Sequence, residues 1–220
     1  MIRPAGPTAV VVLAAGAGRR LGGRPKTLVR LGQATVLQRV LASAGPHADA
    51  GVWVVLGHHA AAIAAALPTE ARRAGLSASA HTLPLPDPGD DTAPSLHAAL
   101  AALPGTVQRV AVLLADQPLL TSEDLGAALA AFDARPPGAH ALVPRWRGEP
   151  GHPVVLDAAA VDSLRQRGSG GVKAWRREHP GVAFDWDAPN DHGSVDLDTV
   201  DDVQRVAAQL GGLAWALPDA

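Results

Sequence analysis

The chain is 220 residues long, enough for one sizeable core, and nothing in it demands a second domain, so a single unit over 1–220 is expected. Lys and Arg total 19 against 21 Asp and Glu, a net charge of −2 that offers no global basic field for nucleic acid, so any phosphate chemistry must be local. Cysteine is absent, which removes disulfides and thiolate metal sites and agrees with a reducing cytoplasm.

The opening MIRPAGPT is too short and polar for a signal peptide, and no run approaches the roughly 18 apolar residues of a membrane span. A soluble cytoplasmic protein without membrane or nucleic-acid partners is the expectation. The first strong signal is the stretch 10–26, VVVLAAGAGRRLGGRPK. Its four leading apolar residues run into a glycine-rich segment that ends in cations, as a buried strand does when it delivers its C-terminal end to a phosphate site. Gly16, Gly18, Gly22 and Gly23 lack a Cβ, so the loop can take positive φ and turn successive N–H groups towards an anion, while Arg20 and Lys26 add charge. A dinucleotide loop would need glycine at Leu21, and a P-loop would need Gly-Lys-Ser/Thr where Gly23-Arg24-Pro25-Lys26-Thr27 stands. The competing reading is a solvated turn after a core strand.

Further along, 27–31 reads as a short extended piece, 34–43 as a helix, 51–56 as a second buried strand and the Ala-rich run to 67 as another helix. A third strand is expected over 76–81 and a fourth over 107–114. Strands alternating with helices argue for a mostly parallel sheet covered on both faces, with ligand groups at the strands' C-terminal ends. The Pro- and Asp-rich loop 83–94 leads into an apolar helix over 95–103, for which Ser95 is a candidate N-cap.

The fourth strand ends in Leu113-Leu114-Ala115-Asp116-Gln117-Pro118. A carboxylate there, beside a proline that stops the ladder, is badly placed for burial and well placed to hold a hard cation. Thr121 or Ser122 caps the following helix, 122–132, so Asp116 is not needed for that. Two short strands, 141–144 and 154–156, are joined by a Gly-Pro loop carrying Arg145, Arg147 and His152, which reads as an insertion over the sheet edge. A helix over 158–167 is followed by Gly168-Ser169-Gly170-Gly171 and a second helix to 178; this is an interhelical turn or an anion cradle reinforced by Lys173. After a strand over 182–186 come Asp196 and Asp198, then a helix over 200–210 with Thr199 as cap and Asp201 and Asp202 in its first turn. Asp196 and Asp198 alternate on an extended piece, so one of them faces a given site. The tail 213–220 is expected to fray.

Taken together, Leu13-Ala14-Ala15-Gly16-x-Gly18-x-Arg20-Leu21-Gly22-x-x-x-Lys26, the Ala115-Asp116-Gln117-Pro118 step and Asp196-Leu197-Asp198-Thr199 resemble the MobA-like nucleotidyltransferases, particularly the molybdenum cofactor cytidylyltransferase branch. The resemblance implies a three-layer α/β/α, Rossmann-like fold with a mostly parallel mixed sheet. It implies that Leu13, Ala14, Ala15, Gly16, Gly18, Arg20, Lys26, Ser95 and Asp116 contact the nucleotide, with Arg20, Lys26 and Asp116 in the catalytic role. Mg²⁺ would be held by Asp116 and by Asp196 or Asp198, with Asp196 favoured. Ala15 and Gln117 lean towards CTP, and the implied acceptor is the phosphate of molybdopterin, with a molybdoenzyme or its maturation chaperone as a protein partner. The chain departs from the family at Asp90-Asp91-Thr92, at His97 where relatives carry Arg, over 148–151 and at Ser169. These departures keep open another phosphorylated acceptor (a sugar phosphate or phospholactate), GTP-dependent guanylyl transfer, or an inactive nucleotide-binding accessory protein. A nicotinamide-dependent oxidoreductase fails at Leu21 and at Leu56-Gly57-His58, where no acid ends the second strand.

Overall fold

The computed structural model describes residues 6–89 and 91–219, so Asp90 and the first five residues of the opening segment lie outside it. In chain order the strands are β1 (Thr8–Ala14), β2 (Arg30–Leu31), β3 (Ala34–Thr35), β4 (Gly51–Leu56), β5 (Ala80–Pro84), β6 (Arg109–Leu114), β7 (Ala141–Trp146), β8 (Glu149–Pro150), β9 (Val154–Asp157), β10 (Ala183–Asp187) and β11 (Trp215–Ala216). The helices are α1 (Val36–Ala44), α2 (Ala60–Arg73), α3 (Ala93–Ala102), α4 (Ser122–Asp133), α5 (Ala158–Arg167), α6 (Val172–Glu178) and α7 (Val200–Gln209).

The main sheet runs β10-β7-β9-β6-β1-β4-β5, with β8 paired to β7. β1 lies between β4 and β6 and is parallel to both; β9 is antiparallel to its neighbours β6 and β7. Successive residues of a strand point to opposite faces, and here both faces are covered. Val10, Val12, Val52, Val54 and Leu113 pack under α1, α2, α4 and α7, against Leu37, Leu41, Ile63, Leu125, Phe132, Val203 and Val206. Val11, Val55, Val110 and Val112 pack under α3, α5 and α6, against Leu96, Leu100, Leu164 and Trp175. This is why the strands read as unbroken apolar runs, and burying each such side chain is worth about 1.5–3 kcal/mol. The expected three-layer α/β/α architecture with a mostly parallel mixed sheet is what the chain adopts.

Several local expectations need correction. The third strand is β5, which begins four residues later than the expected 76–81; it is an exposed edge strand with polar His81 and Thr82, so its pattern is weak. Residues 26–28 form a 3₁₀ turn rather than extended chain, leaving only β2 as strand. Helix α3 begins at Ala93, so Ser95 lies inside its first turn and is buried; the oxygen that accepts from the free Ala93 N–H is Asp91 Oδ1, at 2.9 Å. β7 is interior, between β9 and β10, and turns tightly into β8 through Arg147 (φ 50°) and Gly148 (φ 88°), so the 145–153 loop is not an insertion over the edge. The tail does not fray throughout: β11 adds to β2 in a small second sheet β11-β2-β3, Gly32 donates to the Ala214 carbonyl at 2.6 Å, and Arg24 Nε donates to the Pro218 carbonyl at 3.0 Å. Thr121 and Thr199 form capping boxes with Asp124 and Asp202, as the spacing suggests.

Candidate active site

Two parallel neighbours end at the same edge of the sheet, and that places the first two motifs side by side. Ala115, just past β6, donates to the Leu13 carbonyl near the end of β1, so the glycine loop and Asp116 emerge together. Leu13, Ala14, Gly16, Lys26 and Asp116 line one cleft there, with His59 and Ile63. Gly18 takes φ 62°, and a Cβ on it would run into the Arg24 carbonyl. A Cβ on Gly16 would meet nothing within 4 Å, so the loop leaves open space where a ligand's oxygens can approach the backbone. His59 Nε2 donates to the Ala17 carbonyl at 3.0 Å and so props the loop from α2.

The third motif comes from 80 residues further along the chain than Asp116. The Asp116 carbonyl accepts from Leu197 N–H at 2.9 Å, which pins the extended piece 195–198 beside the end of β6. Buried Gln117 adds a second tie, its Nε2 donating to Asp196 Oδ1 and to the Gly193 carbonyl, both at 2.9 Å. Gln117 therefore acts on Asp196, a role invisible without the fold. Its Oε1 is buried with no hydrogen-bond partner among the described residues.

Charge is dense here. Lys26 Nζ lies 3.1 Å from Asp116 Oδ2 and 2.5 Å from Asp198 Oδ1, and Arg20 Nη2 lies 2.6 Å from Asp198 Oδ2. Burial works to lower the Lys26 pKa, but the Asp116 and Asp198 carboxylates outweigh it and hold the pKa above its ordinary value. Burial pushes the Asp116 carboxyl up, and Lys26 offsets only part of that. Burial and the neighbouring Asp116 charge push Asp196 up to about 6. Asp116, Asp196 and Asp198 thus form one charged cluster with Lys26 and the mostly exposed Arg20, so both aspartates of the third motif take part in it rather than the single one that alternation along an extended piece predicts. No three His, Cys, Asp or Glu side chains among the described residues form a ready-made metal cage. The donor set still fits a small hard cation, which takes one or two carboxylates together with substrate phosphate oxygens. Asp116 and Asp196, each destabilised as an anion, would gain most from such an ion.

Other expected contacts separate from this cluster. Ala15 packs at the end of β4, where a Cβ on Gly57 would lie 2.7 Å from the Ala15 methyl and from the Pro88 Cβ, so Gly57 permits the close approach of two loops. Buried Ser95 lines neither this cleft nor the larger cavity beside it. That cavity, about 560 Å³, opens beyond Leu13 between α3, α6 and the β7–β9 segment; Leu96, Val112, Val143 and Val154 form its apolar floor, and Lys173, Arg176 and Arg177 lie along it. His97, standing where relatives carry Arg, donates from Nε2 to the Gly170 carbonyl at 2.8 Å and holds the Gly168–Gly171 turn against α3. His192 lies 2.8 Å from Asp124 Oδ2, a loop contact away from the cleft. Among the described residues no helix is long and apolar enough to cross a membrane.

Comparison with known proteins agrees with this layout. Residues 10–182 match the model of the MobA-like NTP transferase domain, a span that holds the glycine loop, Lys26 and Asp116. The chain is 34% identical over 203 residues to the phosphoenolpyruvate guanylyltransferase of Geodermatophilus obscurus, covering 88% of this chain and 85% of that protein. A solved homologue of Mycobacterium tuberculosis Rv0371c, from Mycobacterium sp. strain JC1, superposes with a TM-score of 0.68 at 29% identity, covering 93% of this chain and 96% of that one. Rv0371c of M. tuberculosis H37Rv, solved in complex with manganese, gives 0.65 at 26% identity, covering 92% and 98%. With its fold, its glycine loop and most of its length matched, the chain belongs to the MobA-like NTP transferase family and is a nucleotidyltransferase.

Proposed function

We propose that this chain transfers a nucleotidyl group from a nucleoside triphosphate to a phosphorylated acceptor, with CTP and molybdopterin as the favoured pair. The carrying observation is the meeting of Arg20, Lys26, Asp116, Asp196 and Asp198, drawn from three distant segments, at the C-terminal ends of β1 and β6. An acceptor phosphate oxygen attacks the α-phosphorus in line; the bond to the bridging oxygen breaks and pyrophosphate departs with that electron pair. The glycine-loop N–H groups, Arg20 and Lys26 hold the departing phosphates, where they neutralise charge as it develops. Asp116, with Asp196 or Asp198, would hold Mg²⁺, which supplies Lewis-acid stabilisation of the α-phosphate when bound. A manganese complex of the relative Rv0371c supports a divalent ion in this role.

The 560 Å³ cavity with its apolar floor and rim of cations suits a bulky, anionic acceptor such as molybdopterin better than a three-carbon one. CTP rests on the resemblance carried by Ala15 and Gln117. The guanylyltransferase relative favours a second reading, GTP with phosphoenolpyruvate. Pyrophosphate release, followed with Mg²⁺ across CTP and GTP paired with molybdopterin, phosphoenolpyruvate and a sugar phosphate, separates the readings. Turnover with CTP and molybdopterin is expected to exceed the other pairs; preference for GTP and phosphoenolpyruvate overturns that choice, and no turnover with any pair overturns the reaction.

A further inference from the structure

Asp198 is bound to both cations that a triphosphate would use. Its Oδ1 meets Lys26 Nζ at 2.5 Å, and its Oδ2 meets Arg20 Nη2 at 2.6 Å. The carboxylate is not a loose surface group that happens to fall there. Asp198 N–H and Thr199 N–H both donate to Asp202 Oδ2, at 3.2 and 2.8 Å, so the capping box of α7 fixes the backbone that carries it. The adjoining Leu197 N–H is tied to the Asp116 carbonyl. A rigidly held anion therefore bridges the two cations, which come from either side of the Arg24-Pro25 turn.

We propose that Asp198 is a stand-in for the substrate's phosphates: it holds Lys26 and Arg20 in place, and it must give them up when the triphosphate binds. This rests on the reading that Lys26 and Arg20 grip those phosphates. The charge count then dictates a coupling. Asp116, Asp196 and Asp198 face Lys26 and Arg20; once both cations turn to phosphate, Asp198 faces a polyanion with its own countercharge removed. Triphosphate alone binds against that repulsion, whereas triphosphate entering with a divalent cation brings the missing positive charge. Asp198 is thus a positioning residue that makes nucleotide binding depend on the metal. Its cost in metal-free affinity keeps the site from filling with uncomplexed nucleotide, which lacks the ion that transfer requires.

Inorganic tripolyphosphate probes this without involving base or acceptor. Its dissociation constant is measured by calorimetry on the full chain, in EDTA and in Mg²⁺, for the wild type, Asp198→Asn and Lys26→Ala. Wild type should bind poorly in EDTA and better in Mg²⁺. Asp198→Asn should bind about tenfold tighter than wild type in EDTA, an ordinary size for coupled sites, and should show a correspondingly smaller gain from Mg²⁺. Unchanged or weaker binding by Asp198→Asn in EDTA overturns the proposal and leaves Asp198 as a metal ligand or a structural ion pair. Lys26→Ala should weaken binding in both conditions; if it does not, the phosphate-grip reading itself fails, a result distinct from failure of the Asp198 coupling. If the Asn variant does not fold, Asp198→Ser, which keeps a small polar group ahead of the α7 cap, repeats the comparison with the same expected direction.

Discussion

Replacing Asp116 by Asn keeps its shape and removes its charge, so the variant isolates what that carboxylate does. If Asp116 holds the metal as proposed, pyrophosphate release in Mg²⁺ should fall by about 100-fold or more, because losing such a contact costs several kcal/mol in the transition state; retention of wild-type turnover would overturn that proposed role. Gln117 is a subtler case. Gln117→Leu preserves volume but leaves the half-buried Asp196 Oδ1 and Gly193 carbonyl without their donor, a loss of about 1 kcal/mol. Turnover and the thermal midpoint should therefore fall together, and a thermal scan beside the rate assay checks it. The place of Asp116 just past the end of β6 was legible in the sequence because an apolar run led up to it, two residues ahead of a proline. The work of Gln117 was not, because its partners lie 76 and 79 residues away and no local pattern encodes them. His59 escaped for the same reason: its bond to the Ala17 carbonyl spans 42 residues.

Elements with strong patterns were readable, and those whose form depends on a distant partner were not. β1, β4 and β6 are continuous apolar runs because both sheet faces are covered, and α4 and α7 carry their capping boxes in plain view. β5, β8 and β11 are short or exposed and carry no periodic signal; hydrogen bonding to a neighbour defines them. Helix α3 illustrates how a cap is misread. Ser95 has the right chemistry for one, but Pro94 suits the first turn of a helix because its missing N–H would be unpaired there anyway, and the helix starts ahead of it. Asp91 precedes the cap position, which Thr92 fills without a side-chain bond, so Asp91→Ala removes one ordinary hydrogen bond to Ala93 N–H and should cost about 1 kcal/mol. For a protein of this size that lowers the thermal midpoint by about 2–4 °C. The matching Ser95→Ala change should not reproduce a capping loss, and calorimetric scans of both variants distinguish the two assignments.

Across the whole molecule, His152 and Asp196 contribute to the pH dependence of stability in opposite directions. Burial pushes the His152 pKa down to about 4, from 6.5. Between those values the unfolded chain binds a proton that the folded protein refuses, so this group takes stability away as pH falls from about 6.5 to 4. Asp196 behaves inversely. Its folded pKa is raised from 3.8 to about 6, so the folded protein binds the extra proton and gains stability as pH falls through that window. His152→Gln should accordingly gain on the wild type in thermal midpoint as pH drops from 6.5 to 4.5, while Asp196→Asn should lose ground. Parallel melting curves at pH 7.5, 6 and 4.5 test both signs, and identical pH profiles for the three proteins would refute the assignment.

The bond from Arg24 to the Pro218 carbonyl, with β11 laid against β2, means that the loop proposed to grip phosphate is braced by residues almost two hundred positions away. A chain shortened before residue 213 would retain its central sheet yet have a slack clasp, needing more nucleotide to reach half-maximal rate while its far-ultraviolet spectrum hardly changed. A bulky fusion at that terminus would press on the same strut.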